Sequence, residues 1–253
     1  GLGRYIECAS LSGISSSDWS WAAKSADFDN DGKVDLFISN GMSRDFNNSD
    51  ITFTTADQIG KTQWDHYENT PTKPEQNLSF RNKGDYKFED TSKAWGLDHV
   101  GMSYGSAYGD LDGDGDLDLV TVNLEEPAGI YRNGSQTGNC VTVSLKGVRS
   151  NSSGIGALVT VEAGGVKHVR QLVPVSGYLS SNEPIIHFGL GEAELVDRIS
   201  VRWPDGGKQE YRGLRVNHHH EITEAGGELP AYRRDTFDPL FLSEERLRGI
   251  VHK

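Results

Sequence analysis

The chain has 253 residues, with 37 Asp and Glu against 25 Lys and Arg and a formal net charge of −12. That excess of negative charge argues against nucleic acid or an anionic membrane surface as partner, and no apolar run reaches the ~20 residues that cross a bilayer. The length suits two domains. The chain starts without Met and without a signal peptide, so the expectation is a piece of a longer secreted protein.

The first informative stretch is DFDNDGKVD, Asp27 to Asp35. Aspartates stand at its positions 1, 3, 5 and 9 (Asp27, Asp29, Asp31, Asp35), with Gly32 at position 6. Carboxylates this dense repel one another unless a cation sits between them, and calcium, which takes several oxygens in flexible geometry, fits best. The glycine supplies the sharp turn. The four aspartates are the expected side-chain ligands, and the backbone carbonyl of Lys33 is the expected ligand at position 7. An EF-hand would need Glu at position 12 and then a helix. Position 12 is Ile38, and the loop runs into the β-branched, apolar Leu36–Ser39, so it joins two strands. Strands are expected near Ala22–Ala26, Val34–Ser39, Leu78–Asn82 and Lys87–Asp90.

Between the second and third of these strands lies an insertion, within about 41–76. It holds Arg44, Asp45, Trp64, Asp65, His66 and Tyr67 and has room for a short helix near Thr55–Gln63. Connections this long are functional or unstructured. Its aromatic rings and charges suit a protein or sugar surface, and they suit equally a loop packed over a sheet edge.

DLDGDGDLD, Asp110 to Asp118, repeats the first loop at an offset of 83 residues (110 minus 27). Asp110, Asp112, Asp114 and Asp118 take the side-chain roles and Asp116 the carbonyl role, so about two calcium ions are expected. The same offset aligns Ser20-Trp21 with Ser103-Tyr104, Leu36 with Leu119 and Asn40 with Asn123. Both copies then reach an aromatic-Arg-Asn step, Phe80-Arg81-Asn82 and Tyr131-Arg132-Asn133. Each copy reads as four short strands, the pattern of a propeller blade. These units resemble the calcium-binding FG-GAP or VCBS propeller repeats.

After Asn139 come strand-like segments without acidic loops, at Val141–Leu145, Ala157–Ala163, Lys167–Val175, Pro184–Leu190, Asp197–Trp203 and Gln209–Leu214. Ile199, Val201 and Trp203 alternate with Arg198, Ser200 and Arg202, which marks a sheet with one buried face. Even spacing suggests a small sandwich or barrel. The phrases GIGALVTV, SGYLSSN, HFGLG and VRWPDGG resemble the ASPIC/UnbV domain, which follows propeller repeats in the cartilage acidic protein-like family. The expected fold class is therefore all-β: a partial β-propeller of about two four-stranded blades at 1–138, a small β domain at 139–224, and at 225–253 a linker with the start of a further repeat unit.

The resemblance implies a non-catalytic, extracellular calcium-binding module, secreted, periplasmic or at the cell surface. Its loops would bind a protein or glycan; two blades cannot close a propeller, so either further blades belong to the same longer chain, which the tail favours, or another chain covers the missing edges. A calcium-assisted enzyme acting on polysaccharide and a purely structural segment of a large surface protein are the alternatives. No nucleophile elbow, phosphate loop or Ser-His-Asp order supports catalysis. Trp19, Trp21, Trp95 and Trp203 read as core residues. Cys8 and Cys140 are compatible with a disulfide or with two separate buried thiols. His218, His219 and His220 cannot converge on one ion along a strand. Asn47, Asn77, Asn133 and Asn151 open N-x-S sequons.

Overall fold

Two hairpins built on the aspartate loops dominate the N-terminal half. In the computed structural model, which describes residues 7–51, 59–135 and 137–225, a helical turn at Ala9–Ser12 precedes β1 (Ser20–Ala26) and β2 (Asp35–Asn40), joined by the first loop. After the insertion come β3 (Glu75–Gln76), β4 (Leu78–Gly84) and β5 (Lys87–Asp90). Then follow β6 (Val100–Gly101), β7 (Ser103–Gly109), the second loop, β8 (Asp118–Asn123) and β9 (Gly129–Tyr131). The second hairpin's strands begin and end 83 residues after those of the first, and both hairpins carry a register shift near their open ends, between Ser20 and Ala22 and between Ser103 and Ser106.

The first antiparallel sheet has the order β1-β2-β4-β5, the four strands expected of the first repeat. The second has only three, β7-β8-β9, where four were expected. In the first repeat the chain turns at Asp85-Tyr86 and returns as β5. In the second it leaves after Tyr131 and next forms a strand in the C-terminal sandwich. The two sheets stack through Ala26, Phe28, Phe37, Leu97, Leu117 and Leu119, flanked by Trp95, Tyr108 and Tyr131. Side chains alternate along a strand, so Phe37 on β2 and Leu119 on β8 bring opposite faces of the two repeats together.

The C-terminal half is a sandwich, which decides between the two architectures expected for it. β10 (Asn139–Lys146), β11 (Leu158–Ala163), β12 (Val166–Gln171), β13 (Ile185–Gly191), β14 (Leu195–Arg202), β15 (Lys208–Arg215) and β16 (His218–Thr223) form two sheets, ordered β13-β10-β16 and β12-β11-β14-β15. Both sheets feed one core: Val141, Val143, Ile186 and Phe188 from the first, Val159, Val161, Ile199 and Val201 from the second. The β10–β16 pair is parallel; the other ladders are antiparallel. None of the sheets closes on itself.

Trp203 is buried in the sandwich core and donates to Gln209 at 2.6 Å. Trp95 flanks the N-terminal core. Trp21 belongs to neither core: it packs its ring against Tyr104 and Tyr178, and Trp19 is only half-buried. Both cysteines are free, Cys140 buried and Cys8 half-buried. His219 lies between Thr142 and Ser144, while His218 and His220 stack on the other side of β16. Asn77 is fully buried, bonded to the Asn40 N–H and to Ser103, so its sequon is structural. The insertion's helix runs Gln63–Asn69, later than expected; Thr62 and Asp65 form a capping box, a T-x-x-D signal visible in the sequence. Of the rest of the expected helix, 59–62 is not helical and 55–58 lies outside the described residues, as does the expected repeat start on 226–253.

The end of the sandwich is fixed by Glu224. Its buried carboxylate accepts the consecutive backbone N–H groups of Val148, Arg149 and Ser150, each at 2.8 Å, and the Ser150 hydroxyl at 2.9 Å. Burial alone would raise its pKa, but these donors hold it down from 4.5 to about 2. A depressed pKa gives stability that is complete above the unfolded value and lost as pH falls from about 4.5 towards 2. Glu224→Gln is expected to cost on the order of 1–3 kcal/mol at neutral pH, with the deficit against wild type shrinking in melts taken below the unfolded pKa. An unchanged melting temperature at pH 7 would refute this role.

Candidate functional site

Each aspartate loop folds on the same set of bonds. The position-6 glycine N–H donates to the first aspartate: Gly32 to Asp27 at 2.9 Å, and Gly115 to Asp110 at 3.0 Å. These glycines have φ of +88° and +96°, in the left-handed region where a Cβ is strained. The last aspartate closes the loop by accepting two backbone N–H groups. Asp35 takes those of Phe28 and Asn82 at 3.0 and 2.8 Å; Asp118 takes those of Leu111 and Asn133 at 2.9 and 2.7 Å.

Those bonds gather positions 1, 3 and 9. In Asp27, Asp29 and Asp35, and again in Asp110, Asp112 and Asp118, one carboxylate oxygen from each residue lies within 4.8 Å of the others. The first trio is wholly buried; in the second only Asp118 is, and Asp112 is exposed. Asp31 and Asp114, the expected ligands at position 5, lie outside both trios and make other bonds. Asp31 accepts the Lys33 N–H and pairs with the Lys33 ammonium at 2.9 Å, and Asp114 accepts the Asp116 N–H. The Lys33 side chain thus serves Asp31, and the Asp116 side chain accepts from Asn30 at 2.6 Å.

The aromatic-Arg-Asn steps, visible in the sequence but without a role there, complete both loops. Arg81 Nε lies 2.6 Å from Asp29 and its second nitrogen 3.5 Å from Asp31; Arg132 stands at 2.5 and 3.5 Å from Asp112 and Asp114. Asn82 and Asn133 donate side-chain N–H groups to the carbonyls of Val34 and Leu117. The aromatic residues, Phe80 and Tyr131, pack inward.

The charge is still not balanced. Burial, then the charges of Asp35, Asp31 and Asp29, push Asp27 up to about 7. Burial pushes Asp35 to about 7 in spite of its two N–H donors, and raises Asp29 against the opposing Arg81. Asp27 Oδ1 is buried without a hydrogen-bond partner. Oxygen-only donors, convergent and short of positive charge, fit a hard divalent cation and not a soft transition metal. A cavity of about 310 Å³ opens between the second loop and the sandwich, with Asp110, Asp114, Cys140, His187 and His219 in its wall.

Residues 147–229 match the family model described as ASPIC and UnbV, so the C-terminal sandwich contains an ASPIC/UnbV domain. The chain is similar to cartilage acidic protein 1 of Homo sapiens, 29% identical over 187 residues that cover 72% of this chain and 24% of the relative. The Mus musculus protein is likewise 29% identical, over 72% of this chain and 25% of the relative, and that of Xenopus tropicalis 28% over the same shares. The chain therefore spans about a quarter of the length of the curated relatives it matches.

With no cation between them, the carboxylates of the first loop oppose folding. A carboxylate whose folded pKa is raised favours the fold at low pH and loses that advantage as pH rises from 3.8 through about 7. Asp27→Asn is expected to stabilise chelator-treated protein at pH 7.5 by on the order of 2 kcal/mol. Arg81→Met, which leaves Asp29 and Asp31 less compensated, is expected to destabilise it by about 1 kcal/mol. Denaturant midpoints of the two variants moving in the same direction would contradict the charge balance.

Proposed function

We propose that both aspartate loops are calcium sites and that the chain is a non-catalytic, calcium-stabilised interaction module working outside the cell. The observation that carries this reading is the double occurrence of one arrangement: three convergent carboxylates, an Arg on positions 3 and 5, and an Asn that closes the loop. In the first site Asp27, Asp29 and Asp35 would hold the ion, joined by Asp31 and the Lys33 carbonyl; in the second, Asp110, Asp112 and Asp118, joined by Asp114 and the Asp116 carbonyl. Bound calcium supplies the positive charge that these carboxylates lack and so fixes the shape of the loops. Loops of this kind suit surroundings with millimolar calcium. Secretion or display at the cell surface agrees with that and with similarity to proteins named for cartilage.

The N-terminal sheets are proposed as FG-GAP/VCBS-type blades of a larger propeller. Phe37 on β2 is covered by the second sheet, whereas its equivalent 83 residues on, Val120, lies on a face with Val122 57% and Ile130 71% exposed. A further blade would cover that face as the second sheet covers Phe37. For recognition of a protein or glycan, the insertion offers Trp64, which is 63% exposed and held in place by stacking on Tyr67 at 5.1 Å and by a 2.9 Å bond to Glu68. A ring fixed in this way loses little entropy when a ligand stacks on it.

The test is calcium titrated into chelator-treated protein, with a thermal melt and a count of bound ions. Two ions per chain are expected, each adding about 2.7 kcal/mol at a hundredfold excess over its Kd. Asp35→Asn and Asp118→Asn should each remove one ion, and magnesium should bind more weakly. No bound ion, or both variants keeping two, would sink the proposal.

A further inference from the structure

The two faces of β13 meet different neighbours. Ile186, Phe188 and Leu190 enter the sandwich core. Alternation turns His187, Gly189 and Gly191 the other way, and there they meet the aspartate loops. The Gly191 N–H donates to the Asn30 carbonyl at 2.8 Å. Gly189 lies so close that a Cβ there would come within 2.6 Å of Asn30 Cα and closer still to Asp27 Oδ2. His187 Nε2 stands 3.0 Å from the Gly115 carbonyl, which also accepts the Cys140 thiol at 3.2 Å.

The first loop has the matching contact from β12. Buried His168 lies against Gly32, where a Cβ would approach its ring to 2.9 Å. Gly32 and Gly115 are the same position of the two loops, and the sandwich sets a histidine ring against each. Thr137, on the connection into the sandwich, adds a 2.7 Å bond to the Asp29 carbonyl. Asn30 ties one loop to the other through Asp116 at 2.6 Å.

Resting on the calcium reading above, we infer that the ASPIC/UnbV sandwich is the outer wall of both cation sites. Its His187-Gly189-Gly191 face fits the backbone of the filled loops, so that filling them locks the sandwich onto the N-terminal sheets and emptying them releases it. Linkage makes the effect reciprocal: a sandwich that fits only the ordered loops must raise their affinity for the ion.

Hydrogen exchange on the full chain, with and without calcium and with bound ions counted, tests this. Calcium should slow exchange at 187–191 and 137–140 as well as in the loops, while the interiors of β11 and β14 stay unchanged. Two ions bound, loops protected and 187–191 unaltered would overturn the inference and leave the calcium sites standing; no ion bound would remove both. Gly189→Val adds bulk on the loop side only and should weaken calcium binding roughly tenfold and abolish the protection at 187–191. His187→Ala adds no bulk and should weaken the second site roughly fivefold. It also decides the matter if Gly189→Val costs β11 and β14 their own protection. Wild-type affinity and wild-type calcium-dependent protection in His187→Ala would refute the clasp.

Discussion

Three carboxylates held within 4.8 Å of one another, twice in one chain, are the constraint from which the rest of the arrangement follows. At neutral pH such trios drive the chain apart unless their charge is met. Backbone N–H groups meet part of it through Gly32, Phe28 and Asn82, and through Gly115, Leu111 and Asn133. Arg81 and Arg132 meet another part. Burial, together with the charge that is left, pushes Asp27 and Asp35 to about 7, and a cation would take up that charge.

The hairpins were legible because the two repeats report on each other. An offset of 83 predicts the limits of β7 and β8 from those of β1 and β2, and the structure keeps that offset to the residue. Position 5 is less legible: spacing along the chain shows which carboxylates are near, but not that Asp31 already pairs with Lys33, or that Arg81 and Arg132 stand beside Asp31 and Asp114. Arg81 and Arg132 stood in plain view within a repeated step, but their partners lie 52 and 20 residues back (81 minus 29, 132 minus 112). The missing fourth strand of the second sheet had no local signature, since the residues after Tyr131 are drawn into a different domain.

Within the sandwich, alternation in β14 announced a sheet with one buried face, and the core residues fall as that pattern requires. The same logic hid something in β13. HFGLG looks like a core strand interrupted by glycines, which normally weakens a strand. Gly189 is there because the face opposite the core is not solvent: the first loop passes too close for any side chain, while Gly191 has a φ of +58° that favours glycine. Recognising that requires the partner loop, which is about 160 residues away in sequence (189 minus 30).

The two loops, equal in motif, are unequal in surroundings, and the inequality has consequences for any ion they hold. All three carboxylates of the first trio are buried, and Gly189, Gly191 and Thr137 close over the loop's back. In the second, Asp112 is exposed, Arg132 is 71% exposed and a cavity of about 310 Å³ adjoins Asp110 and Asp114. Exposed charges are screened by salt over about 8 Å at physiological ionic strength, and buried ones far less. An ion held in the first loop would therefore exchange slowly and respond little to salt. An ion held in the second would exchange with solvent through the cavity, and its binding would weaken as salt rises. On the calcium reading, the enclosed site would hold the sheets and the sandwich together, and the open one would be the site whose occupancy changes with the surroundings.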